Sequence, residues 1–167
     1  AASDVYKRQM KIGFLTDKNG YRAPIHPESI EKYSLDVHLE KDIFDYLKYS
    51  ESIQNNVKTI SKVSDLDIVA CVENIEDKKI KDLKEGAILI GIFDFEKIEE
   101  IKNLRPDIKI LSFFKLPRIS RAQNLDALSS QANLLGYASV LRAAKETSDV
   151  VPMMTTAAGN IQPSKVL

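Results

Sequence analysis

The stretch Ala87–Phe114, AILIGIFDFEKIEEIKNLRPDIKILSFF, contains the pattern that decides the fold. Its two ends, Ala87–Phe93 and Ile108–Phe114, are mostly apolar, which is typical of strands buried on both faces of a sheet. Between them, Phe95–Leu104 is predicted to be a helix that ends near Pro106. Two buried strands joined by a helix predict parallel neighbours connected by a right-handed crossover.

The alternation of short apolar runs and amphipathic segments continues outward from this stretch on both sides. Further strands are predicted at Lys11–Thr16, Asp36–Lys41 and Ile68–Val72, and further helices at Pro27–Ser34, Glu76–Lys84 and Gln123–Lys145. The polar region Asp42–Ile60 is expected to form one helix and a loop, and Pro152–Pro163 a connector. This order predicts an α/β fold in which a parallel sheet of flavodoxin or Rossmann type is flanked by helices and followed by one long helix.

The composition excludes several classes of protein. The 24 basic and 24 acidic residues give a formal net charge of zero, so there is no electrostatic reason to expect nucleic acid as a ligand. Cys71 is the single cysteine, which rules out an internal disulfide framework. The two histidines, His26 and His38, lack the spacing of metal ligands. The longest apolar run, Ala87–Phe93, is too short to cross a bilayer.

Both ends of the sequence have features that we interpret as incomplete or foreign. The first nine residues, AASDVYKRQ, show no hydrophobic period and lie directly before Met10. They match the in-frame translation of a sequencing-library adapter, so we exclude Ala1–Gln9 from fold reasoning. At the other end, Ile161–Leu167 (IQPSKVL) stops where a strand is expected to begin. We therefore expect the sequence to be a fragment of a longer protein.

The densest group of polar side chains follows the last predicted strand, in LPRISRAQNLDALSSQAN (Leu116–Asn133). Arg118 and Arg121 offer planar charged donors suited to carboxylates, phosphates or amide carbonyls. Gln123 can donate and accept at once, as an amide ligand requires. The carboxyl ends of parallel strands are where such sheets bind ligands, so this position favours a binding site.

Asp126 and Ser129 follow in the same stretch, three residues apart and on one face of the predicted helix. The alternative interpretation is an ordinary solvated helix start with one ion pair. From composition alone, that alternative is the stronger of the two.

Residues 116–137, LPRISRAQNLDALSSQANLLGY, closely resemble the corresponding stretch of the NAD-binding component of proton-translocating NAD(P) transhydrogenase. Residues 153–167, MMTTAAGNIQPSKVL, resemble the connector that leads into a Rossmann unit in the same family, and the loop GYRAPIHPES at 20–29 also fits. The resemblance implies that residues 10–120 form an N-terminal subdomain of the alanine dehydrogenase/transhydrogenase type. Residues 121–167 would then form a linking helix between subdomains and the start of a dinucleotide-binding Rossmann subdomain.

The resemblance also implies a site. The family's nicotinamide motif falls on Arg118, Gln123 and Asp126, and a serine placed near the nicotinamide falls on Ser129. These groups would bind the nicotinamide ring, its amide and the adjacent ribose. Their role would be positional rather than catalytic, because hydride transfer between two nicotinamides needs aligned rings and neither an acid nor a base.

The cofactors and partners are implied in the same way. NAD(H) would bind this component, whereas NADP(H) would bind a partner component, and a further component would span the membrane. The resemblance implies a homodimer on the cytoplasmic side of the inner membrane. A glycine-rich phosphate loop is expected directly after Val166–Leu167, so the chain by itself is expected to be inactive and to bind little NAD.

Two alternatives remain open. Alanine dehydrogenase, a relative on the same plan, binds a keto acid with an arginine, a lysine and a histidine. Arg22 fits the arginine, but the lysine position falls on Cys71, and no histidine occurs after His38. Reductive amination without a second cation and an acid–base group is disfavoured, so Arg22 is expected to be structural. The other alternative is a non-catalytic dinucleotide-binding module.

Overall fold

A computed structural model describes residues 10–17, 22–32, 36–43, 57–147 and 150–165. The chain divides into two compact units, and the division falls between Leu125 and Asp126.

The first unit is built on a six-stranded sheet. Its strands are β1 (Lys11–Phe14), β2 (Asp36–Leu39), β3 (Lys58–Thr59), β4 (Ile68–Ala70), β5 (Ile88–Gly91) and β6 (Lys109–Ser112), and its described helices are α1 (Pro27–Lys32), α2 (Asp77–Lys81) and α3 (Phe95–Leu104). The strand order is β3-β2-β1-β4-β5-β6, and every neighbouring pair is parallel. This is the Rossmann order, in which the direction of winding reverses between β1 and β4.

The main core lies between α2, α3 and the β4–β6 half of the sheet. Val69 and Leu89 pair across β4 and β5, are fully buried, and belong to the same apolar cluster as Ile80 and Ile101 of the helices. Helix α3 begins at Phe95 because the Asp94 carboxylate accepts a hydrogen bond from the Lys97 N–H at 2.8 Å. Burial of one face of α3 therefore fixes the position of the helix that connects β5 to β6.

The predicted fold class is confirmed, and α3 has the bounds that the sequence predicted. The strands that the sequence predicted are all shorter than expected, by two or three residues. The prediction for 42–60 missed β3, whose residues pair with His38 and Leu39 of β2, while Ile60 N–H donates to Leu39 C=O at 2.9 Å. A two-residue polar strand has no hydrophobic period to reveal it. Residues 44–56 lie outside the described part of the chain.

The second unit consists of α4 (Ala127–Glu146) and a hairpin of β7 (Met154–Thr156) with β8 (Gly159–Ile161). The long helix is confirmed, but its predicted start at Gln123 was wrong. The residues before it form a 3-10 helix, and the Asp126 side chain caps α4. The hairpin was also missed inside the predicted connector. Gly159 has a φ of 126°, which only glycine adopts readily, and it starts the second strand.

Candidate functional site at the carboxyl ends of the strands

The loop that follows β6 is a series of turns, each closed by a backbone hydrogen bond. Leu116 N–H donates to Phe113 C=O at 3.3 Å, and Ile119 N–H donates to Pro117 C=O at 2.9 Å. Ala122 N–H then donates to Ile119 C=O at 2.9 Å, and the Ala122 side chain is buried. These bonds give the polar loop a defined path although most of its side chains face solvent.

Two of the predicted ligand-binding groups, those of Arg118 and Gln123, are exposed on this loop, and so is the guanidinium of Arg121. The side chains of Arg118, Arg121 and Gln123 lie at the surface and form no hydrogen bond with the described residues of the chain. Their donors, and the carbonyl of Gln123, are therefore available to a ligand. A planar amide such as a carboxamide needs one donor and one acceptor, and Gln123 can supply both.

Asp126 and Ser129 come together at the start of α4. The Asp126 carboxylate accepts from Ser129 N–H at 2.9 Å and from the Ser129 hydroxyl at 2.6 Å. Asp126 C=O also accepts from the Ser130 hydroxyl at 3.1 Å. Asp126 and Ser129 therefore lie close together, as predicted, because the Asp126 side chain caps α4. Arg118 and Gln123 belong to the first unit, whereas Asp126 and Ser129 belong to the second.

An apolar groove of about 490 Å³ lies within the first unit beside the loop. It is lined by Ile90, Ile110, Leu111, Ser112, Phe113, Lys115, Leu116 and Leu125. Leu111 and Leu125 are more than half exposed, so part of this lining faces solvent.

A second polar cluster lies where the strand order reverses, just beyond the ends of β1 and β4. Arg22 donates to both carboxylate oxygens of Glu73, at 3.1 and 2.6 Å, and to Asp17 at 3.2 Å. The hydrogen bond to Glu73 is the largest of the effects that raise the pKa of Arg22. A guanidinium held by two carboxylates is not free to bind a keto acid, which fits the structural role expected for Arg22.

The same edge of the sheet contains a buried thiol and a further ion pair. Burial is the main reason that the pKa of Cys71 is raised to about 12, so the thiol is neutral at physiological pH and is a poor nucleophile. Glu40 accepts from Lys79 Nζ at 2.5 Å and from Thr16 N–H at 2.8 Å. The Cys71 thiol is neutral and buried, and the Glu40 carboxylate is held in an ion pair. Neither of them is therefore free to act as an acid–base catalyst.

Sequence reasoning missed four charged residues of this cluster: Asp17, Glu40, Glu73 and Lys79. Three of them could have been found, because Asp17, Glu40 and Glu73 each come within three residues of the end of a strand. Charged residues at that position in a parallel sheet meet at one edge. Lys79 lies inside α2, and nothing in its local sequence indicates that it reaches Glu40.

Within the described residues, no group of three or more His, Cys, Asp and Glu side chains could hold a metal ion. The helices described here are all too short or too polar to span a membrane.

Comparison with known proteins identifies relatives over nearly the whole chain. The chain is 35% identical over 175 residues to a protein of Rickettsia prowazekii named as the first part of NAD(P) transhydrogenase subunit alpha, covering 95% of this chain and 46% of that protein. Its fold matches a crystal structure of transhydrogenase from Sinorhizobium meliloti with a TM-score of 0.79 and 28% identity, covering 92% of this chain and 49% of the other. The chain thus spans about half the length of these relatives. No family model matches it.

A structure of L-alanine dehydrogenase matches less closely, with a TM-score of 0.53 and 14% identity over 66% of this chain and 35% of that one. This second likeness is one of fold alone. The resemblance inferred from residues 116–167 is confirmed, and the alanine dehydrogenase is only a distant neighbour.

Proposed function

We propose that this chain, which belongs to the NAD(P) transhydrogenase alpha-subunit family, supplies a portion of the NAD(H)-binding component of that enzyme. In the whole protein, hydride would pass between NAD(H) and NADP(H), coupled to proton translocation through partner components. The observation that supports this most is the 35% identity to a transhydrogenase alpha subunit over 95% of the chain.

The chemistry of the described residues supports a positioning role. Bound NAD(H) supplies the hydride chemistry itself, so the protein needs to hold and align the ring rather than to move a proton. Arg118 and Gln123 offer donors and an acceptor, which no described residue occupies, for the carboxamide and for ribose or phosphate oxygens. Asp126 and Ser129 offer oxygens for ribose hydroxyls, held together by their mutual hydrogen bonds.

The proposed enzyme is an assembly of this component, an NADP-binding component and a membrane-spanning component. NAD(H) binds to this component, and NADP(H) binds to a separate NADP-binding component that docks beside it. A membrane-spanning component carries the proton, and this component is a homodimer on the cytoplasmic side of the inner membrane. Residues 10–120 form an N-terminal subdomain, and residues 121–167 form the linking helix and the beginning of a dinucleotide-binding subdomain.

The contacts of Arg22 and Cys71 argue against amino-acid dehydrogenation. Carbonyl polarisation needs a free cation, but Arg22 is paired with Glu73 and Asp17. Cys71 is neutral, and no histidine in the sequence lies beyond His38 to act as an acid–base group.

The proposal is tested with the full-length protein that contains this chain, mixed with its NADP-binding partner. Oxidation of NADH is followed in the presence of an NADP⁺ analogue, and separately in the presence of pyruvate and ammonium. We expect hydride transfer to the NADP⁺ analogue and none that depends on pyruvate.

Oxidation that depends on pyruvate would replace the proposal with the dehydrogenase alternative. Binding of NADH without either reaction would favour a non-catalytic module. Either of these two results would overturn the transhydrogenase assignment.

A further inference from the structure

The hydroxyl of Ser112, the last residue of β6, joins the end of β5 to the start of the polar loop. It donates to Phe93 C=O at 2.6 Å and accepts from Phe93 N–H at 2.9 Å. It also accepts from Phe114 N–H at 3.1 Å. A serine hydroxyl has one donor and two acceptor sites, so its full hydrogen-bonding capacity is used.

The two groups that Ser112 connects differ in burial. Phe93 is 1% exposed and belongs to the main core, so its backbone is a fixed reference. Phe114 is 40% exposed and lies in the first turn of the loop. The next turns are closed by Leu116 N–H, which donates to Phe113 C=O, and by Ile119 N–H, which donates to Pro117 C=O, and Arg118 lies inside the second of these turns. The Ser112 side chain therefore links a buried strand end to the turns that carry Arg118.

Aromatic contacts hold the same turn from its outer side. The Phe114 ring meets Phe95, the first residue of α3, edge to face with 5.7 Å between centroids. Lys115 Nζ lies 5.1 Å from the centroid of the Phe95 ring. Of the three directional bonds of Ser112, the one from Phe114 N–H reaches this turn, and the other two join Ser112 to Phe93. Ser112 therefore connects the first turn of the loop to the core by hydrogen bonds, in addition to the backbone bonds that close the later turns.

We propose that Ser112 is a positioning residue for hydride transfer, which sets the place of Arg118 through the turn at 113–116. This inference rests on the proposed function of the Arg118 loop. Ser112 itself lies in the wall of the apolar groove and has no remaining hydrogen-bonding capacity for a ligand. Its effect on catalysis is therefore transmitted through the backbone.

The test uses the full-length protein with its partner and three variants. Ser112→Ala removes all three bonds, whereas Ser112→Thr keeps the hydroxyl and suits the extended backbone of this position, with φ −105° and ψ 127°. Ser139→Ala is the matched control, because the Ser139 hydroxyl donates only to Leu135 C=O of its own helix. For each protein, kcat, KM for NADH and amide hydrogen exchange of peptides within 112–125 are measured.

We expect Ser112→Ala to lower kcat by about ten-fold and to change KM for NADH by less than about two-fold, because a small displacement of an aligning group affects mainly the chemical step. Amides of Phe114 and Leu116 should exchange faster in this variant only. Ser112→Thr should restore both quantities, and Ser139→Ala should change neither.

Unchanged kcat in Ser112→Ala would overturn the inference, as would parallel losses in kcat and NADH affinity that Ser112→Thr fails to restore. If the unmodified protein transfers no hydride, the proposed function fails by itself. Hydrogen exchange then decides whether Ser112 orders the loop, and unchanged exchange would refute this role separately.

Discussion

Asp126 is a residue for which capping and ligand binding predict different results. Asn and Asp cap helices about equally well, so Asp126→Asn should leave the stability of α4 nearly unchanged. The same change removes the negative charge and one acceptor for a ribose hydroxyl. We expect Asp126→Asn in the full-length protein to slow hydride transfer several-fold, with a free energy of unfolding within about 0.5 kcal/mol of the unmodified protein.

Asp126→Ala separates the two roles further. It removes the bonds to Ser129 N–H and to the Ser129 hydroxyl, which should lower the free energy of unfolding by about 1 kcal/mol. Urea denaturation and rate assays on both variants make the comparison. Full activity in Asp126→Asn would mean that the Asp126 carboxylate takes no part in hydride transfer.

Arg118 and Arg121 form a matched pair of exposed guanidinium groups on one loop. The site proposal assigns a role to Arg118 only. We expect Arg118→Ala to slow hydride transfer by about ten-fold or more while the Kd for NADH changes by less than about three-fold, because an aligning contact acts mainly in the transition state. Arg121→Ala is the control and should change neither. Equal losses in rate and affinity for Arg118→Ala would contradict a positioning role.

Cys71 makes stability depend on pH. Burial raises the pKa of the folded thiol to about 12, whereas an unfolded cysteine ionises near 9. Because the pKa is higher in the folded state, the stabilisation is complete below pH 9 and is lost as pH rises towards 12. We expect a loss of about 1 kcal/mol in the free energy of unfolding between pH 9 and pH 10 from this group.

The matched variant for Cys71 is Cys71→Ala, which has no thiol to ionise. Urea titrations at pH 8, 9 and 10 measure the slope of stability against pH for both proteins. The comparison uses slopes, since the cavity left by the substitution lowers stability equally at every pH. Identical slopes would show that the thiol ionises as readily in the folded protein as in the unfolded one.

At the scale of elements, Arg105 joins the ends of α2 and α3. Its guanidinium donates to Lys81 C=O and Leu83 C=O, both at 2.7 Å, and forms two bonds of 2.7 Å with Asp107. The carbonyls at a helix C-terminus have no partner within the helix, so the charged donors satisfy them. We expect Arg105→Ala to lower the free energy of unfolding by about 1.5–3 kcal/mol in urea denaturation.

Lys102→Ala is the control for Arg105, because Lys102 is an exposed cation in the last turn of the same helix. Its loss should change the free energy of unfolding by no more than about 0.5 kcal/mol. The Arg105 hydrogen bonds lower the pKa of Asp107, so the ion pair is intact at neutral pH and is lost only in strong acid. A loss for Arg105→Ala no larger than that for the control would refute this bridging role.

Elements could be predicted from sequence where local signals agreed with tertiary structure. Helix α3 has a capping aspartate, a buried stripe and a proline just beyond its end, and its bounds were predicted correctly. Helix α4 was placed too early because the polar residues before Asp126 have helical spacing, whereas backbone bonds close them into a 3-10 turn. Strand β3 depends on pairing with β2, a contact that no local pattern reveals.

At the scale of the whole molecule, continuous apolar runs separated by helices were enough to predict a parallel sheet. The Rossmann strand order and the pairing of Arg22 with Asp17 and Glu73 were not predictable from these runs, because both depend on which strands become neighbours. The position of each carboxylate near the end of a strand was nevertheless a usable signal. The proximity of Asp126 and Ser129 was predicted from helical spacing, whereas its cause is that the Asp126 side chain caps α4. The nicotinamide-binding roles of Arg118, Gln123, Asp126 and Ser129 remain predictions.

Residues 10–167 alone are expected to bind NADH only weakly. The six glycines of the sequence are nowhere spaced as G-x-G-x-x-G, the motif typical of loops that bind a pyrophosphate at a helix N-terminus. The exposed groups of the Arg118 loop would contact only the nicotinamide end of the molecule. We expect a Kd for NADH of about 1 mM or weaker by titration calorimetry, because most of the dinucleotide lacks partners.

The full-length protein is the control and should bind in the micromolar range, while circular dichroism checks that the shorter chain is folded. Micromolar binding by the folded residues 10–167 would show that the Arg118 loop binds the dinucleotide without a phosphate loop.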